Sequence, residues 1–415
     1  MSDTTRVAVV AGARTPFSKA GAEFRKHRAL DLGVHAVDGL LERADIDPGI
    51  VDTLVFGIVV VDARVPHLAR EVNFQSRLPD STRSLTITDN CITAASGIEL
   101  VVDSIKAGRA EVGIAGGVES MSNPSVLMSK KASAVFLQAA AARSLPDRLK
   151  IFAQLRPKDL VPQAPGVAEP STGLSMGEHC ELMVKEWKIS REEQDEIAYR
   201  SHMNAAAATE DGRLPAEIVS LDGIDRDTMV RADTSMEKLA KLRSVFDPTP
   251  AGTLSAGNSS PLTDGAAAVI LMSEDRAKAE GFEPLAFVRD VEFVGIDPAD
   301  GLLMGPGVAV PRLLRRTGLE LDDMDIVEMH EAFGGQVACN LAAWEQGWQE
   351  PPIGKLDRTK LNPLGSSISV GHPFAATGAR IVTTLANEMA RRGSRYGLVS
   401  ICGAGATAAA LILER

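Results

Sequence analysis

The sequence predicts an α/β fold built from two similar lobes, and three observations support this prediction. Short continuous apolar runs alternate with segments of helical periodicity, which is typical of buried strands joined by amphipathic helices. The order of these segments repeats along the chain, so that residues 40–54 resemble residues 313–327. The length of 415 residues suits two or three domains of about 150 residues each. A duplicated α/β lobe accounts for all three observations.

The elements of the first lobe follow in order from these patterns. Residues 7–11 form a continuous apolar run, which favours a strand buried on both faces. A helical pattern follows at residues 30–41, then a second apolar run at 54–61. Apolar residues recur with the 3.6-residue period over residues 92–105, and a further strand is predicted at 112–115. Such alternation predicts a mostly parallel sheet covered by helices on both faces.

The second half of the chain repeats this order after a long interruption. The helix that begins at Cys91 and the strand after it have counterparts in the helix after His372 and the strand at residues 397–402. Between the halves, a basic segment punctuated by prolines precedes a helical stretch that opens with a Ser190/Glu193 capping box. We predict a first lobe at residues 1–122 completed by about 251–280, an inserted loop domain at 123–250, and a second lobe at 281–415.

Composition excludes several classes of protein. The net charge of −11 argues against a dedicated binder of nucleic acid or of anionic membranes. Aromatic residues make up only 4% of the chain, too few for an aromatic platform that stacks bases. No apolar stretch approaches the roughly 18 residues that a transmembrane helix needs. Residues 1–6 are polar and carry no secretory signal, so the sequence predicts a cytoplasmic protein.

The four cysteines include no CxxC pair, so neither a zinc site nor a disulfide framework is indicated. Cys91 stands where an apolar helix begins, and the positive end of the helix dipole stabilises a thiolate there. That position predicts a lowered thiol pKa and a nucleophile, although a buried small residue would also fit. Cys180 and Cys339 lie within helical patterns, so we interpret both as packing residues.

Three further segments carry candidate chemistry. His372 lies between Gly371 and Pro373, which fix the backbone around an imidazole as a general base requires. Cys402 ends an apolar strand and enters a turn of small residues, whose N–H groups could form an oxyanion hole. His330 follows another strand and opens a His-Glu-Ala-Phe segment that lacks the second histidine of a zinc protease. A solvated loop histidine and a packing turn remain the plain alternatives.

Taken together and in order, these motifs resemble the thiolase family over essentially the whole chain. The HEAF box, where many thiolases have Asn in place of His, is most similar to the thiolase β-subunits of trifunctional fatty-acid β-oxidation complexes. The motifs are Arg14-Thr15-Pro16-Phe17, the Cys91 helix, residues 116–121, Met176-Gly177, residues 261–268, the HEAF box at His330, Gly371-His372-Pro373 with residues 376–380, and Cys402-Gly403-Ala404-Gly405.

The resemblance implies a five-layered αβαβα sandwich and the thiolytic cleavage of 3-ketoacyl-CoA to acetyl-CoA and a shortened acyl-CoA. Cys91 would attack the ketone and become acylated, with His372 as its base. Cys402 would act as the second acid and base. His330 and His372 would hold the oxygen of the leaving enolate, while the N–H groups of Cys91 and Ala404 would form the other oxyanion site. Coenzyme A is then a substrate, and no cofactor or metal is expected.

The resemblance also implies contacts and partners. Arg231 stands near the CoA nucleotide-binding arginine of the family, and Ser260 and Met176 match positions that line its pantetheine channel. It implies a homodimer or homotetramer, no nucleic-acid partner and no transmembrane segment. It allows for an α-subunit with enoyl-CoA hydratase and 3-hydroxyacyl-CoA dehydrogenase activities.

The basic segment from Arg143 to Lys158 could contact that partner, a membrane surface or CoA. Further cations that could hold the phosphates of CoA are Arg143, Arg148, Lys150, Lys158, Lys241 and Arg243.

Three alternatives stay open at this point. An acetoacetyl-CoA thiolase working in the biosynthetic direction would carry the same residues. A decarboxylating ketosynthase would use a Cys/His/His or Cys/His/Asn set and would lack a cysteine like Cys402. A non-catalytic subunit could have kept the fold, although an intact set of Cys91, His330, His372 and Cys402 argues against such decay.

Overall fold

The computed structural model describes residues 5–162, 166 and 168–415, which fall into two compact units. The smaller unit comprises Val60–Pro66 and Pro124–Val167, and the larger unit comprises the rest of the chain. Over the described ranges, no helix is both long enough and apolar enough to span a membrane.

The strands and helices within the described residues alternate along most of the chain. The strands are β1 (Val7–Arg14), β2 (Ser18–Lys19), β3 (Thr53–Gly57), β4 (Arg83–Ile87), β5 (Val112–Ser120), β6 (Thr263–Ser273), β7 (Ala286–Gly295), β8 (Ile326–Met329), β9 (Tyr396–Gly403) and β10 (Thr407–Glu414). The helices are α1 (Ala29–Arg43), α2 (Leu68–Gln75), α3 (Thr93–Lys106), α4 (Lys130–Ala141), α5 (Leu145–Phe152), α6 (Met176–Glu186), α7 (Arg191–Glu210), α8 (Met236–Ala240), α9 (Glu274–Ala279), α10 (Pro306–Thr317), α11 (Gly334–Gln346), α12 (Ser367–Val370) and α13 (Thr377–Arg392).

The strands form one mixed sheet in the order β4-β3-β5-β6-β1-β7-β10-β9-β8, with β2 paired to β6. Among the named strands of the described residues, parallel pairing is confined to β3 with β4 and β5, and to β8 with β9. The remaining pairs are antiparallel. The prediction of a mostly parallel sheet is therefore wrong. The physical reason for the antiparallel pairing is visible at residues 404–406. A tight turn there returns β10 antiparallel to β9 instead of leading into a crossover helix.

The two halves of the sheet repeat one topology, which confirms the predicted duplication. The order β3-β5-β6-β1 in the first half matches β8-β9-β10-β7 in the second half. The two halves join where β1 pairs antiparallel with β7, with Val7 opposite Val288. Helices α3 and α13 precede the equivalent strands β5 and β9 and contact one another.

Alternation of side chains along the strands places the helical layers. On β10, Ala409 and Leu411 join the buried cluster that contains α3 and α13, whereas Ala410 and Ile412 join the cluster that contains α10 and α11. Helix α1 packs on β1, β5 and β6 of the first half. With each half of the continuous sheet counted as one layer, the order is helix, sheet, helix, sheet, helix, which confirms the predicted five-layered sandwich.

The compact units do not follow the predicted domain boundaries at every point. Of the predicted inserted domain at residues 123–250, only residues 124–167 fall in the smaller unit. Helices α6 and α7 belong to the larger unit because both pack against α11. Ser190 caps α7 as predicted by accepting from the Glu193 N–H, but the Glu193 carboxylate accepts from Arg358 at 2.7 Å. The predicted boundaries of the three segments stay a prediction.

The smaller unit contains α4 and α5, which pack through the rings of Phe136 and Phe152 at a centroid distance of 5.3 Å. The Lys131 ammonium lies 2.6 Å from the Asp159 carboxylate. Several large apolar side chains of this unit face solvent, with exposed fractions of 73% for Leu137 and 69% for Leu145.

A buried ion pair in the larger unit fixes the segment around Asp227 against the end of β1. Arg14, at the end of β1, donates two hydrogen bonds to the Asp227 carboxylate at 2.6 and 2.8 Å. The N–H of Phe17 donates to the same carboxylate at 2.8 Å, and the Arg14 side chain is fully buried. Glu217 lies within 3.5 Å of the same guanidinium. The pair holds the segment that leads to Met229 and Arg231 in one position.

We expect Asp227→Ala to lower the free energy of unfolding by about 3–5 kcal/mol, because it leaves Arg14 buried with Glu217 as its remaining carboxylate. Urea denaturation followed by tryptophan fluorescence measures the change. The matched control is Asp225→Ala, because Asp225 pairs with Arg226 at the surface, where both side chains are more than half exposed. An exposed pair contributes at most about 1 kcal/mol. Equal losses in the two variants would contradict the role of the buried pair.

Candidate active site

The strongest candidate site forms where the starts of α3 and α13 meet. Cys91 lies in a 3₁₀ turn, Asn90–Ile92, that leads directly into α3. His372 lies between α12 and the turn that leads into α13. The His372 Nε2 atom is 3.1 Å from the Cys91 Sγ atom. Two residues far apart in sequence, one from each half of the fold, thus form a hydrogen-bonded thiol–imidazole pair.

The position and the tautomer of His372 are both fixed by its neighbours. Its backbone N–H donates to Thr263 Oγ1 at 3.0 Å, and its Nδ1 atom lies 2.7 Å from Thr377 Oγ1. The Thr377 hydroxyl donates its one proton to the Pro373 carbonyl at 3.2 Å. Thr377 therefore accepts from His372 Nδ1–H, and the lone pair of Nε2 points at the Cys91 thiol.

Gly371 is required beside this histidine. Its φ of +111° lies in a region that side chains disfavour. A Cβ atom there would lie 2.5 Å from the Met229 Cε atom and 2.9 Å from Thr263. The glycine of the Gly-His-Pro segment therefore lets the chain pass close to the segment that Asp227 anchors.

The thiol and the imidazole are both neutral. Burial raises the pKa of Cys91 to about 12, against a lowering by the Ala404 N–H. Burial, followed by the charge of Arg380, lowers the pKa of His372 to about 3. The prediction of a lowered Cys91 pKa is therefore wrong. Desolvation of the thiolate outweighs the helix terminus, which acts here through one short turn.

His330 completes the pair with a second imidazole. It follows β8, is fully buried, and its ring centroid lies 4.1 Å from that of His372. Its backbone N–H donates to the Ser400 carbonyl at 2.8 Å, and its Nδ1 atom lies 2.7 Å from Ser367 Oγ. Among the residues that the structure describes, its Nε2 atom has no hydrogen-bond partner. Burial and the neighbouring His372 and Arg380 hold the pKa of His330 well below its usual value.

The next residue, Glu331, anchors the loop that carries His330. Its carboxylate accepts from the Ser201 hydroxyl at 2.6 Å, the Asn362 amide at 2.6 Å and the Ile368 N–H at 3.3 Å. These bonds tie the loop after β8 to α7 and to α12. Sequence reasoning missed Ser201 and Asn362, because no local pattern marks a serine or an asparagine whose partner is far away in sequence.

Cys402 lies at the end of β9, fully buried, so burial raises the pKa of its thiol, with a further contribution from Cys91. The Ala404 N–H is directed at the Cys91 thiol and lowers the pKa of Cys91. Asn90 joins the two turns, because its side chain donates to the Ala404 carbonyl at 2.9 Å. Its φ of +48° is a conformation that asparagine tolerates. The structure thus brings together the predicted residues Cys91, Cys402 and Ala404.

A cavity of about 680 Å³ in the larger unit adjoins these residues. Its wall includes two predicted CoA contacts, Arg231 and Ser260. The Ser260 N–H donates to the Ala332 carbonyl at 2.9 Å, and Leu262 pairs with His372 through a β-bridge. The cavity wall is therefore continuous with both histidine segments. Met176 packs elsewhere, against the buried cluster that contains Cys402.

The cations of the cavity differ in part from those predicted. Arg143, Arg148, Lys150 and Lys158 belong to the smaller unit. The wall of the cavity includes Lys19, Arg231 and Lys238, of which sequence analysis found only Arg231. The Lys238 ammonium pairs with the Asp233 carboxylate at 2.8 Å.

Within the described residues, the ligand atoms of Cys91, His330 and His372 lie within 4.8 Å of one another. A thiolate and two imidazoles would suit a zinc ion. The same three atoms are also those that a thiol nucleophile, its base and a hydrogen-bond donor would present. Cys180 and Cys339 are fully buried in α6 and α11, as predicted for packing residues.

Comparisons with known proteins agree with this geometry. The thiolase N-terminal domain model matches residues 7–275, and the thiolase C-terminal domain model matches residues 282–415. A 3-ketoacyl-CoA thiolase of Colwellia psychrerythraea is 43% identical over 99% of this chain and 97% of its own length. A counterpart from Shewanella sp. is 42% identical with the same coverage.

Solved structures give the same result. Human mitochondrial 3-ketoacyl-CoA thiolase is 31% identical with a TM-score of 0.87, and Bacillus anthracis acetyl-CoA acetyltransferase is 30% identical with a TM-score of 0.86. Each covers 99% of this chain and 98% of its own chain. With the paired thiol and imidazole at the junction of a duplicated fold, these matches show that the chain belongs to the thiolase family.

Proposed function

We propose that the chain is a 3-ketoacyl-CoA thiolase that acts in fatty-acid β-oxidation, an acyltransferase with CoA as its second substrate. The observation that carries this proposal is the 3.1 Å contact between Cys91 Sγ and His372 Nε2 beside a cavity of about 680 Å³, a size typical of ligand pockets. The relatives named above support the substrate class, since those at 42–43% identity are 3-ketoacyl-CoA thiolases.

The first half-reaction begins at the thiol. Cys91 Sγ attacks the C3 ketone of the substrate while its proton passes to His372 Nε2, so that no free thiolate has to form beforehand. The N–H groups of Cys91 and Ala404 hold the oxyanion that develops on the ketone oxygen. The C2–C3 bond then breaks, which leaves an acyl group on Cys91 and the enolate of acetyl-CoA.

The enolate needs hydrogen-bond donors and a proton. His330 and the protonated His372 face its oxygen, while the thiol of Cys402 protonates its C2 carbon. A raised pKa suits this role, because it keeps the Cys402 thiol protonated until the carbanion is present. Cys402 then removes the proton of the incoming CoA thiol, and the CoA sulfur attacks the Cys91 thioester. The shortened acyl-CoA is released, and His372 returns its proton to the departing Cys91 sulfur.

Coenzyme A enters through the cavity that Arg231 and Ser260 line, and Arg231 supplies an exposed cation for a phosphate. Met176 stays a predicted contact. The chemistry uses side chains, backbone N–H groups and CoA, so the expectation of no cofactor and no metal stays part of this proposal.

A homodimer or homotetramer is the proposed assembly. In the described part of the chain, β4 ends the sheet and pairs with β3 alone. Leu85 on this edge strand and Leu100 on α3 have exposed fractions of 36% and 39%. An open edge with exposed leucines favours pairing with a second copy, which the native molar mass from light scattering tests.

Two further expectations from the sequence stay predictions. The exposed leucines of the smaller unit favour a protein partner such as the α-subunit of a trifunctional complex. Co-purification with a hydratase/dehydrogenase chain would test this. Cell fractionation would test the cytoplasmic location.

The proposed function predicts CoA-dependent cleavage of 3-ketoacyl-CoAs longer than acetoacetyl-CoA, measured by loss of the 3-ketoacyl chromophore with substrates of graded length. Cys91→Ala is the control that should abolish cleavage. Activity on acetoacetyl-CoA alone would favour the biosynthetic alternative. Absence of cleavage at every length, with a hydratase/dehydrogenase partner present, would favour a non-catalytic subunit.

We expect Cys402→Ala to lower turnover by about 10²–10⁴-fold, because positioned acid and base groups contribute factors of this size. One slow acyl transfer to Cys91 should remain, and mass spectrometry of the Cys91 peptide detects it. The matched control is Cys339→Ala, a buried cysteine on α11 that packs in the same cluster and should keep its turnover. Full turnover in Cys402→Ala would refute the assigned role.

The pKa values predict a flat pH profile for acylation. With the pKa of His372 lowered to about 3, the imidazole is neutral and able to accept a proton at every pH above that value. With the pKa of Cys91 raised to about 12, the thiol stays protonated throughout. The single-turnover acylation rate should therefore vary little between about pH 5 and pH 9, where unperturbed histidine and cysteine both titrate.

The companion variant is His372→Asn, which removes the base. Its acylation should depend on the rare thiolate, so its rate should rise about tenfold per pH unit over the same range. Rapid-quench measurement of acyl-enzyme gives both profiles. An inflection near pH 6.5 in the unmodified protein would show that His372 titrates normally and would overturn this interpretation.

A further inference from the structure

Two imidazoles face the same reacting atoms, and the proposed chemistry needs them in opposite tautomers. His372 must present a lone pair on Nε2 to accept the thiol proton, whereas His330 must present a proton on Nε2 to donate to the enolate oxygen. Neutral imidazole carries its single proton on either nitrogen, so something beyond the ring has to decide. For His372 that decision comes from Thr377, whose proton is already donated to the Pro373 carbonyl.

The neighbour of His330 is a hydroxyl in the reverse situation. Ser367 Oγ accepts a hydrogen bond from Arg380 Nη2 at 2.9 Å, and an arginine can only donate. The single proton of Ser367 is therefore free for another acceptor. In the described part of the chain, the atom within reach is His330 Nδ1 at 2.7 Å.

The other orientation leaves one further group unsatisfied. If His330 Nδ1 carried the proton, Ser367 would accept from both Arg380 and His330, and its own buried proton would have no acceptor. Among the described residues the Nε2 atom has no partner in either orientation, but in this one its lone pair would face the developing enolate oxygen. Each unsatisfied buried polar group costs about 1–3 kcal/mol, so the first orientation is favoured.

We propose that Ser367, held in place by Arg380, is the positioning residue that keeps the proton of His330 on Nε2. The fully buried Arg380 thereby acts on the reaction through one hydroxyl, without touching the substrate. The proposal rests on the role of His330 as an enolate donor in the proposed function, and it adds the residue that makes this role available in every molecule.

Ser367→Ala tests the proposal against a closely matched control. Ser366→Ala removes the adjacent hydroxyl, which is equally buried and accepts from the same Arg380 nitrogen at 3.1 Å, but which donates to the Met329 carbonyl and not to His330. We expect Ser367→Ala to lower kcat for cleavage by about 10–10³-fold with KM for CoA unchanged, as for the loss of an oxyanion donor. Ser366→Ala should change stability while its kcat stays within about threefold.

A second background separates a tautomer effect from a packing effect. In His330→Asn the donor is an amide, which carries its protons whatever its neighbour does. Adding Ser367→Ala to this variant should therefore change its residual kcat by less than about threefold. An equal loss in both backgrounds would assign Ser367 a structural role and overturn the proposal.

Nitrogen-15 NMR of histidine-labelled protein reads the proton directly and needs no turnover. We expect a protonated Nε2 and an unprotonated Nδ1 for His330 in the unmodified protein, and a shift of the proton toward Nδ1 in Ser367→Ala. A proton on Nδ1 of the unmodified protein would overturn the proposal. Full activity of His330→Ala would instead refute the role of His330 in the proposed function, while the NMR result would still decide the tautomer.

Discussion

Exclusion of water from the junction between the two halves is the constraint on which the site depends. His330, His372 and Cys402 are buried there, and Arg380 lies behind them. A buried charge without a close partner is costly, so the reacting groups rest in their neutral forms. Once the groups are neutral, what matters is where each proton sits. Each imidazole contacts a hydroxyl group that has a single proton to donate, Thr377 for His372 and Ser367 for His330. The direction in which that proton is donated fixes the tautomer of the imidazole.

The duplicated fold explains why Cys91 and His372, the proposed nucleophile and its base, meet. Helices α3 and α13 occupy equivalent places in the two halves and contact one another in the central layer. Cys91 stands just before α3 and His372 just before the turn that leads into α13. Packing equivalent helices side by side therefore brings their starts, and the two reacting atoms, into hydrogen-bond distance. The turn after β9 then approaches the same place, held by the bond from Asn90 to the Ala404 carbonyl.

The sequence was sufficient for the duplication and for the residues that local pattern marks. Cys91 precedes a periodic helix, His372 lies between glycine and proline, and Cys402 ends an apolar strand. Strand direction was mistaken, because a short turn such as residues 404–406 reverses the chain without altering its hydrophobic pattern. The direction of the Cys91 pKa was mistaken too, because burial is a property of the assembled layers. Partnerships such as Arg14 with Asp227 join residues that no local spacing relates.

The cationic cavity wall and the neutral reacting groups lie at different places, which explains how an acidic protein can bind an anionic substrate. The net charge of −11 acts at long range, where salt screens it beyond about 8–10 Å. At the cavity, the Asp233 carboxylate offsets the charge of Lys238, which leaves Lys19 and Arg231 as cations of its wall. The backbone N–H of Arg231 donates to His202 Nδ1 at 3.2 Å. In the proposed function the exposed Arg231 guanidinium binds a phosphate at the cavity, whereas the groups around Cys91 are neutral and buried. On this proposal the charged end of an acyl-CoA remains in a hydrated, cationic region, and only its uncharged ketone enters the dry site, where fixed donors act most strongly on the oxyanion.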